Sequence, residues 1–212
     1  MTKLVIFLKA PRAGSVKTRL AATMGAQAAL AAYKRMTEDL LENLSGLSGV
    51  QIRFAPDDAE PELRDWLYSE ERSQSLRTSA APDSLEFCAQ GEGDLGERLQ
   101  RAFEENFARG FQRVVVIGSD CPKVTRTDIE SAWAFLASCD VVIGPAKDGG
   151  YWLIGLRSAQ PGLFDKIPWS TDRVLQATFD RIQAANLSYK SLRQLNDIDT
   201  EADWRRYREQ VK

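Results

Sequence analysis

Apolar residues along this chain fall into short continuous runs that alternate with longer stretches repeating every three to four positions. Leu4-Val-Ile-Phe-Leu8, within Lys3–Leu8, is continuous and rich in β-branched side chains, so it reads as a buried strand. A short turn begins at Val16. Ala29, Leu30, Tyr33, Met36, Leu40 and Leu44 then recur at helical spacing over Ala26–Leu44, until Ser45-Gly-Leu-Ser-Gly49 stops the helix. Val50–Ala55 reads as a strand, Pro56-Asp-Asp-Ala as a turn, and the segment from about Pro61 to Tyr68 as a short helix. Ser69–Asp83 is polar and shows no period, and Leu85–Ala89 returns to a strand. Asp94–Arg109 carries Leu95, Leu99, Ala102, Phe103 and Phe107 on one helical face. Arg113–Ile117 contains Val-Val-Val-Ile, typical of a central parallel strand. A helix over Thr127–Ala137, with Ile129, Trp133 and Leu136 inward, precedes strands at Asp140–Ile143 and Tyr151–Leu156. A helix at Val174–Ala185, a short strand at Leu187–Tyr189 and an amphipathic helix at Glu201–Val211 complete the pattern.

Strands alternate with helices without a composition break or an internal repeat. The expected architecture is one α/β domain over residues 1–212, with three α/β/α layers and a mostly parallel mixed sheet. In such folds ligands bind outside the carboxyl ends of the strands, where the unusual loops of this chain fall.

Composition narrows the chemistry. The chain has 212 residues, 43% hydrophobic and 27% charged, as a soluble globular protein does. A net charge of −2 argues against bulk electrostatic binding of nucleic acid. Cys88, Cys121 and Cys139 have no close spacing, which points to reduced thiols and a cytoplasmic setting. The chain contains no histidine, so a Ser-His-Asp triad, a Cys-His dyad and a His-ligated metal are excluded. Any metal must be held by oxygen ligands, which favours Mg2+ or Mn2+. The first apolar run is too short for a signal peptide, and no stretch is long enough to span a membrane.

Five loops carry the candidate chemistry. Lys9-Ala-Pro-Arg-Ala-Gly-Ser-Val-Lys-Thr-Arg-Leu20 follows the first strand and joins Pro11, Gly14 and the cations Lys9, Arg12, Lys17 and Arg19 in one turn. A cationic glycine loop between strand and helix suits a di- or triphosphate, with Ala10, Pro11 and Gly14 shaping the backbone around it. It is not a Walker A loop, because Val16 stands where that motif needs a glycine before Lys17. Gly118-Ser-Asp-Cys-Pro122 places Ser119 and Asp120 at the tip of the central strand, where a carboxylate can hold a divalent ion against phosphates. Gly91-Glu-Gly-Asp-Leu-Gly96 is a literal GxGxxG, but Glu92, Asp94 and Glu97 would repel a pyrophosphate. Asp94 and Gly96 instead border a nucleoside, or the segment is a plain helix entry. Gly144-Pro-Ala-Lys-Asp-Gly-Gly-Tyr-Trp152 offers Asp148, Gly149 and Tyr151 to an acceptor, or else forms a hairpin turn with aromatics in the core. Asn196-Asp-Ile-Asp-Thr200 either caps the last helix or supplies a second metal carboxylate from Asp197 or Asp199.

Taken in order, Lys9-Ala-Pro…Val16-Lys-Thr-Arg-Leu20, Gly93-Asp-Leu-Gly-Glu-Arg-Leu99, Gly118-Ser-Asp-Cys-Pro122, Asp148-Gly-Gly-Tyr-Trp-Leu-Ile-Gly155 and Asp197-Ile-Asp-Thr200 resemble the DUF2064 family of glycosyltransferase-A-type proteins. That family is similar to 2-phospholactate guanylyltransferase and, more distantly, to the molybdenum cofactor guanylyltransferases. The resemblance covers roughly Lys3 to Arg208. It implies a nucleotide-diphospho-sugar transferase fold with a seven-stranded mixed sheet between helices, a nucleotide under the opening loop, and Asp120 as metal residue. The Asp-Ile-Asp-Thr segment looks like the Asp-Val-Asp-Thr of sugar-nucleotide synthetases, which implies Asp199 as the second metal aspartate. Two departures stand out. Lys-Ala-Pro replaces the Gly-rich opening of nucleotidyltransferases, and the Asp-x-Asp pair of many glycosyltransferases is reduced to Ser119-Asp120.

The expected function is metal-dependent transfer from a nucleoside triphosphate or nucleotide sugar. The preferred form is nucleotidyl transfer to a phosphorylated acceptor, whose nucleophile is already ionised and needs no base. Lys17, Arg19, Asp120 and Asp148 are the expected catalytic residues, with Mg2+ or Mn2+ on Asp120 and Asp199. Glycosyl transfer to a small-molecule acceptor, with Asp148 as base, is the alternative within enzymes. A non-catalytic nucleotide-binding module is the alternative outside them. The partners are the nucleotide and a small acceptor, with no nucleic acid and no membrane, and a homodimer is one assembly open to the chain.

Overall fold

A computed structural model describes residues 1–69 and 85–211. The polar stretch to which the sequence pattern assigns no element, Ser69–Asp83, lies outside them except for Ser69. Among the described residues the strands are β1 (Thr2–Lys9), β2 (Val50–Ala55), β3 (Glu86–Ala89), β4 (Arg113–Gly118), β5 (Val141–Pro145), β6 (Tyr151–Leu156) and β7 (Tyr189–Ser191). The helices are α1 (Thr18–Met24), α2 (Ala26–Asn43), α3 (Glu60–Leu67), α4 (Leu95–Ala108), α5 (Arg126–Phe135), α6 (Val174–Ala184) and α7 (Glu201–Gln210).

The strands form one seven-stranded sheet in the order β3-β2-β1-β4-β6-β5-β7. β6 pairs antiparallel with both β4 and β5, and the remaining pairings are parallel. Strand alternation sorts the core into two faces. Leu4, Ile6 and Leu8 of β1 pack with Ile52, Phe54, Val115 and Ile117 under Tyr33, Leu40, Leu63 and Ile129 of α2, α3 and α5. Val5 turns the other way, with Val114, Val116, Ile143 and Ile154, under Leu99 and Phe103 of α4 and Ile182 of α6. Burial on both faces explains why the central strands read as unbroken apolar runs rather than alternating ones. A smaller cluster of Leu20, Ala29, Ala32, Met36, Ile198, Trp204 and Tyr207 seats α7 against α1 and α2.

Three elements depart from the sequence pattern. The short turn begun at Val16 continues as a separate helix, α1, which Gly25 at φ 83° divides from α2. The last strand begins two residues later than its apolar residues indicate. Leu187 donates its N–H to Ile182 O at 3.0 Å to close α6, and Asn186 turns the chain at φ 52° before pairing with β5 starts. Leu95, read as a core position, is 42% exposed at the first turn of α4, and Trp133 is only partly buried.

Candidate functional site

Because β6 reverses direction, the loops after β1, β4 and β5 all open on one edge of the sheet. The segment after β7 then crosses this edge. Leu195 N–H bonds Pro145 O at 3.1 Å, Lys147 N–H bonds Leu195 O at 3.1 Å, and Ile198 N–H bonds Asp120 O at 3.0 Å. This strap carries Asp197 and Asp199 from the β5 side of the sheet to the opening loop. Thr200 ends it by capping α7, with Asp203 completing the capping box. Sequence left capping and ligand binding as alternatives here. The structure divides them, giving the cap to Thr200 and leaving both aspartates on the cleft.

The cleft between these loops has a volume of about 540 Å³. Its lining combines polar residues, Lys9, Lys17, Arg19, Ser119, Asp120, Asp197 and Asp199, with apolar and aromatic ones, among them Phe7, Val16, Leu95, Leu99, Val116, Tyr151 and Ile154. The mouth of β1 is fixed by the Tyr33 hydroxyl, which accepts from Lys9 N–H at 3.0 Å and donates to Lys9 O at 2.8 Å. Burial raises the pKa of that hydroxyl and keeps it protonated.

Lys17 is the centre of the polar lining. Its side chain is 5% exposed, and its ammonium lies 2.7 Å from Asp120 Oδ1, 3.2 Å from Asp199 Oδ1 and 2.6 Å from Ile198 O. Burial opposes its charge, but Asp120 and Asp199 outweigh burial and raise its pKa. All three ammonium protons are therefore directed at protein oxygens. Lys17 also adopts φ 48°, a left-handed conformation that costs a non-glycine residue about 1 kcal/mol or more. Arg19 reaches Asp199 Oδ2 at 3.3 Å and remains 77% exposed, free to meet a ligand. Asp197 stands behind this pair and accepts a hydrogen bond from Cys121 Sγ at 2.7 Å. Burial, with Asp120 and Asp148 nearby, pushes its carboxyl up to about 6.

Other expected residues are placed differently. Arg12 turns away from the cleft to Glu62, 2.6 Å from its Nη2, and Asp58, at 3.2 Å. Ala10 is buried, while Pro11 and Gly14 shape the outer loop, with Gly14 at φ 81°. Asp94 is spent as the N-cap of α4, accepting from Glu97 N–H at 2.9 Å. Gly96 is a packing glycine, since a Cβ there would lie 2.9 Å from Trp169 Nε1 and 3.0 Å from Phe164 O. Asp148 accepts from Gly150 N–H at 2.9 Å, and Gly149 lets its loop press against the backbone of Asp172. Neither Asp148 nor Gly149 lines the cleft. Tyr151 does line it, packed edge-on against Trp169, and its hydroxyl is buried.

Three residues of this region were not singled out by sequence. Gln90 is buried at the end of β3 and donates to Leu8 O and Arg53 O at 3.3 and 3.0 Å. Arg98, in the first turns of α4, reaches into the cleft and meets Gln90 Oε1 at 3.4 Å. Trp169 backs Tyr151 and Gly96. Arg98 sits in the polar stripe of an amphipathic helix, which ordinarily means solvent; it falls within the Gly93–Leu99 motif that carries the resemblance, but its pattern assigned it no role.

The residues fit a hard divalent cation only in part by themselves. Among the described residues no three of His, Cys, Asp and Glu gather into a metal-holding group. Asp120 and Asp199 converge on one cationic point, however, and their carboxylates are 51% and 37% exposed. Two carboxylates completed by phosphate oxygens and water are the usual donor set for Mg2+.

The fold is that of the nucleotide-diphospho-sugar transferases. A crystal structure of a "putative nucleotide-diphospho-sugar transferase" from Desulfovibrio desulfuricans G20 is 36% identical and superposes with a TM-score of 0.80 over 94% of this chain and 82% of that one. Residues 55–171 match the profile of the family described as "Uncharacterized protein conserved in bacteria (DUF2064)", and the chain belongs to that family. More distant structures share the fold. They include 4-diphosphocytidyl-2C-methyl-D-erythritol synthase from Anaerococcus prevotii DSM 20548, with 10% identity, TM-score 0.59 and coverage of 99% and 98%. Another is the manganese complex of Rv0371C from Mycobacterium tuberculosis H37Rv, with 14% identity, TM-score 0.50 and coverage of 98% of both chains. A search of curated proteins gives no match. No helix among the described residues is long and apolar enough to cross a membrane.

Proposed function

We propose that this protein is a metal-dependent transferase acting on a nucleoside triphosphate, and that it passes the nucleotidyl group to a phosphorylated small acceptor. The observation that carries the reading is the convergence of Asp120 and Asp199 on Lys17 at the mouth of a cleft that also presents Lys9 and Arg19. Arg19 and Lys9 hold the triphosphate, the first through its planar fork and the second as a mobile charge. Lys17 works as a positioning cation, holding two carboxylates side by side that would otherwise repel. Asp120 and Asp199 would hold Mg2+ or Mn2+, which when bound supplies charge neutralisation on the phosphate oxygens. Rv0371C from Mycobacterium tuberculosis, which shares the fold, is described in complex with manganese, which supports the choice of metal.

In the reaction an oxygen of the acceptor phosphate attacks the α-phosphorus, the bond to the β-phosphate oxygen breaks, and pyrophosphate leaves with that electron pair. The nucleophile is an anion at neutral pH, so the chain needs no general base, which suits the absence of histidine. Catalysis is then mostly orientation and charge stabilisation. Asp148, the candidate base for a hydroxyl acceptor, is turned to Gly150 N–H, which weighs in the same direction.

A second reading, glycosyl transfer from a nucleotide sugar, is favoured by the 36% identity to a protein described as a nucleotide-diphospho-sugar transferase. Incubation with nucleoside triphosphates or nucleotide sugars, sugar phosphates and Mn2+ separates the two. Release of pyrophosphate is expected, and release of nucleoside diphosphate would select glycosyl transfer. Asp120→Ala should abolish metal-dependent nucleotide binding, and unchanged binding would overturn the site.

A further inference from the structure

The strap that crosses the cleft has a second face. Behind it lies a separate cavity of about 290 Å³, bounded by the loops after β4 and β5, the strap itself and α7. Asp197 alone among the described residues lines both this cavity and the cleft. Four cations line the outer cavity: Lys123, Lys147, Arg193 and Arg206. Its two carboxylates, Asp197 and Asp203, are engaged elsewhere. Asp203 Oδ2 completes the cap of α7, accepting from Thr200 N–H at 3.0 Å and from Thr200 Oγ1 at 2.6 Å. Asp197 Oδ1 accepts from Cys121 Sγ at 2.7 Å.

The cations keep donors to spare. Lys123 Nζ donates to the neutral Gln210 Oε1 and pairs with no carboxylate, and Lys147 Nζ has no partner among the described residues. Arg206 Nη1 lies 3.7 Å from Asp203 Oδ1, beyond hydrogen-bonding distance. Arg193 is held in place, with Nε and Nη2 at 2.8 and 2.7 Å from the Asp128 carboxylate and Nη2 at 2.9 Å from Lys123 O, which leaves Nη1 unengaged. The backbone adds two more donors. Leu195 and Ile198 N–H bond Pro145 O and Asp120 O, while Asn196 and Asp197 N–H between them meet no acceptor among the described residues. Such a set selects the shape of the anion. A flat carboxylate is met best by one planar fork, and the Arg193 fork is spent on Asp128. Two lysines with three protons each, a spare guanidinium edge and two amides suit a tetrahedral phosphate, which accepts from every side. The volume stands at the bottom of the roughly 300–1,000 Å³ range of sites for drug-sized ligands, so a small phosphate fits it better than a nucleotide does.

We propose that this cavity is a second anion site, which takes inorganic phosphate or pyrophosphate on the outer face of the strap. The site goes beyond the transferase reading and does not rest on it, because neither Lys123 nor Lys147 lines the cleft. An anion there joins Lys123, Lys147 and Arg206 of α7 to the strap that carries Asp199, and so fastens the strap from behind.

The test titrates inorganic phosphate, pyrophosphate and acetate calorimetrically into the full chain without metal or nucleotide, at about 0.15 M ionic strength to screen diffuse attraction. At least one phosphate should bind with a dissociation constant below about 1 mM, and the tighter of the two names the ligand. Acetate should bind at least about tenfold more weakly. The double variant Lys123→Ala, Lys147→Ala should abolish one equivalent of bound phosphate or weaken it about tenfold or more, and Arg19→Ala in the cleft should leave that equivalent in place. Lys147→Gln, at an exposed position with no partner to lose, should weaken it about threefold or more and guards against misfolding of the double variant, which thermal melting verifies. Absence of phosphate binding, or acetate binding as tight, overturns the proposal. So does unchanged affinity and stoichiometry in Lys147→Gln or in the folded double variant, and so does loss of all phosphate binding in Arg19→Ala, which would put the anion in the cleft. Failure of the transferase reading has a different signature, since the wild-type protein would then fail to bind any nucleoside triphosphate with Mn2+.

Discussion

Replacing Lys17 with methionine keeps the length of the side chain and removes its charge from between Asp120 and Asp199. The ammonium lies 2.7 Å from Asp120, 3.2 Å from Asp199 and 2.6 Å from Ile198 O, so three contacts are lost together. Breaking a fully buried ion pair costs about 3–5 kcal/mol. Here the lysine is 5% exposed, but the carboxylates are 51% and 37% exposed and can turn to water. The expected loss is therefore about 1–2 kcal/mol, a fall in melting temperature of about 2–8 °C for a chain of this size. Lys17→Gly separates charge from backbone. It accepts φ 48° freely, which offsets by about 1 kcal/mol the packing of a side chain only 5% exposed that it loses relative to Lys17→Met. Urea denaturation of both variants measures these terms. Calorimetric titration with a nucleoside triphosphate and Mn2+ should show binding weakened about tenfold or more in each, because the two carboxylates no longer share a counter-ion. Wild-type affinity in Lys17→Met would refute the clamp.

Three further outcomes follow from the geometry. Arg12→Ala should leave nucleotide affinity within about twofold, because Arg12 is held by Glu62 and Asp58, whereas Arg19→Ala should weaken it about fivefold or more; the reverse order in a titration would return Arg12 to the site. Burial opposes the charge of Glu86, but hydrogen bonds from Arg109 and Lys3 outweigh it and bring the carboxyl from 4.5 to about 2. A depressed folded pKa contributes stability above the unfolded value and loses it as pH falls through about 4.5 towards 2. Discounted for its 36% exposure, the term is about 1–2 kcal/mol, so the stability gap between wild type and Glu86→Gln should be full at pH 7, shrink as pH falls below about 4.5, and close only as pH passes below about 2 in urea titrations. Gly149→Ala would place a Cβ 2.1 Å from Asp172 O at φ 88°, a clash with backbone that no rotamer relieves, and thermal unfolding should show a loss of about 2 kcal/mol or more.

Much of this architecture could be read from pattern because the sheet is covered on both sides. β1, β4 and β6 appear as continuous apolar runs whose ends fall within a residue or two of the observed strands. β7 slipped because Tyr189, Lys190 and Ser191 are all exposed and carry no apolar signal, while the neighbouring Leu187 belongs to the end of α6. At the site, Lys17, Arg19, Asp120 and Asp199 were legible as unusual residues in loops at strand ends. Which cation faces the ligand was not. Arg12 and Lys17 look equivalent in sequence, yet Arg12 is drawn off by Asp58 and Glu62, whose placement depends on the packing of α3. Arg98, although inside the Gly93–Leu99 motif, and Trp169 were given no role for the opposite reason, since a polar helix position and an aromatic residue in a loop have ordinary structural explanations.

The active edge is assembled from chain segments far apart in sequence, and this ties the site to the last helix. Lys17 and Asp199 are 182 positions apart, and Asp199 reaches Lys17 only because the strap is pinned at Ile198 N–H to Asp120 O. Ile198 is 4% exposed and packs with Trp204 and Tyr207 against Leu20 and Met36, so the strap's position depends on the docking of α7 on α1 and α2. Tyr207 adds a polar lock by donating to Asp39 Oδ2 at 2.8 Å, while Arg35 Nε holds Asp39 Oδ1 at 2.8 Å. The same α1 that α7 packs against carries Lys17 at its N-terminal end. A small apolar cluster that does not itself line the cleft thus fixes both the cation and one of the two carboxylates of the site. Loosening that cluster would separate Asp199 from Asp120, whose own position is set independently by β4 at the centre of the sheet.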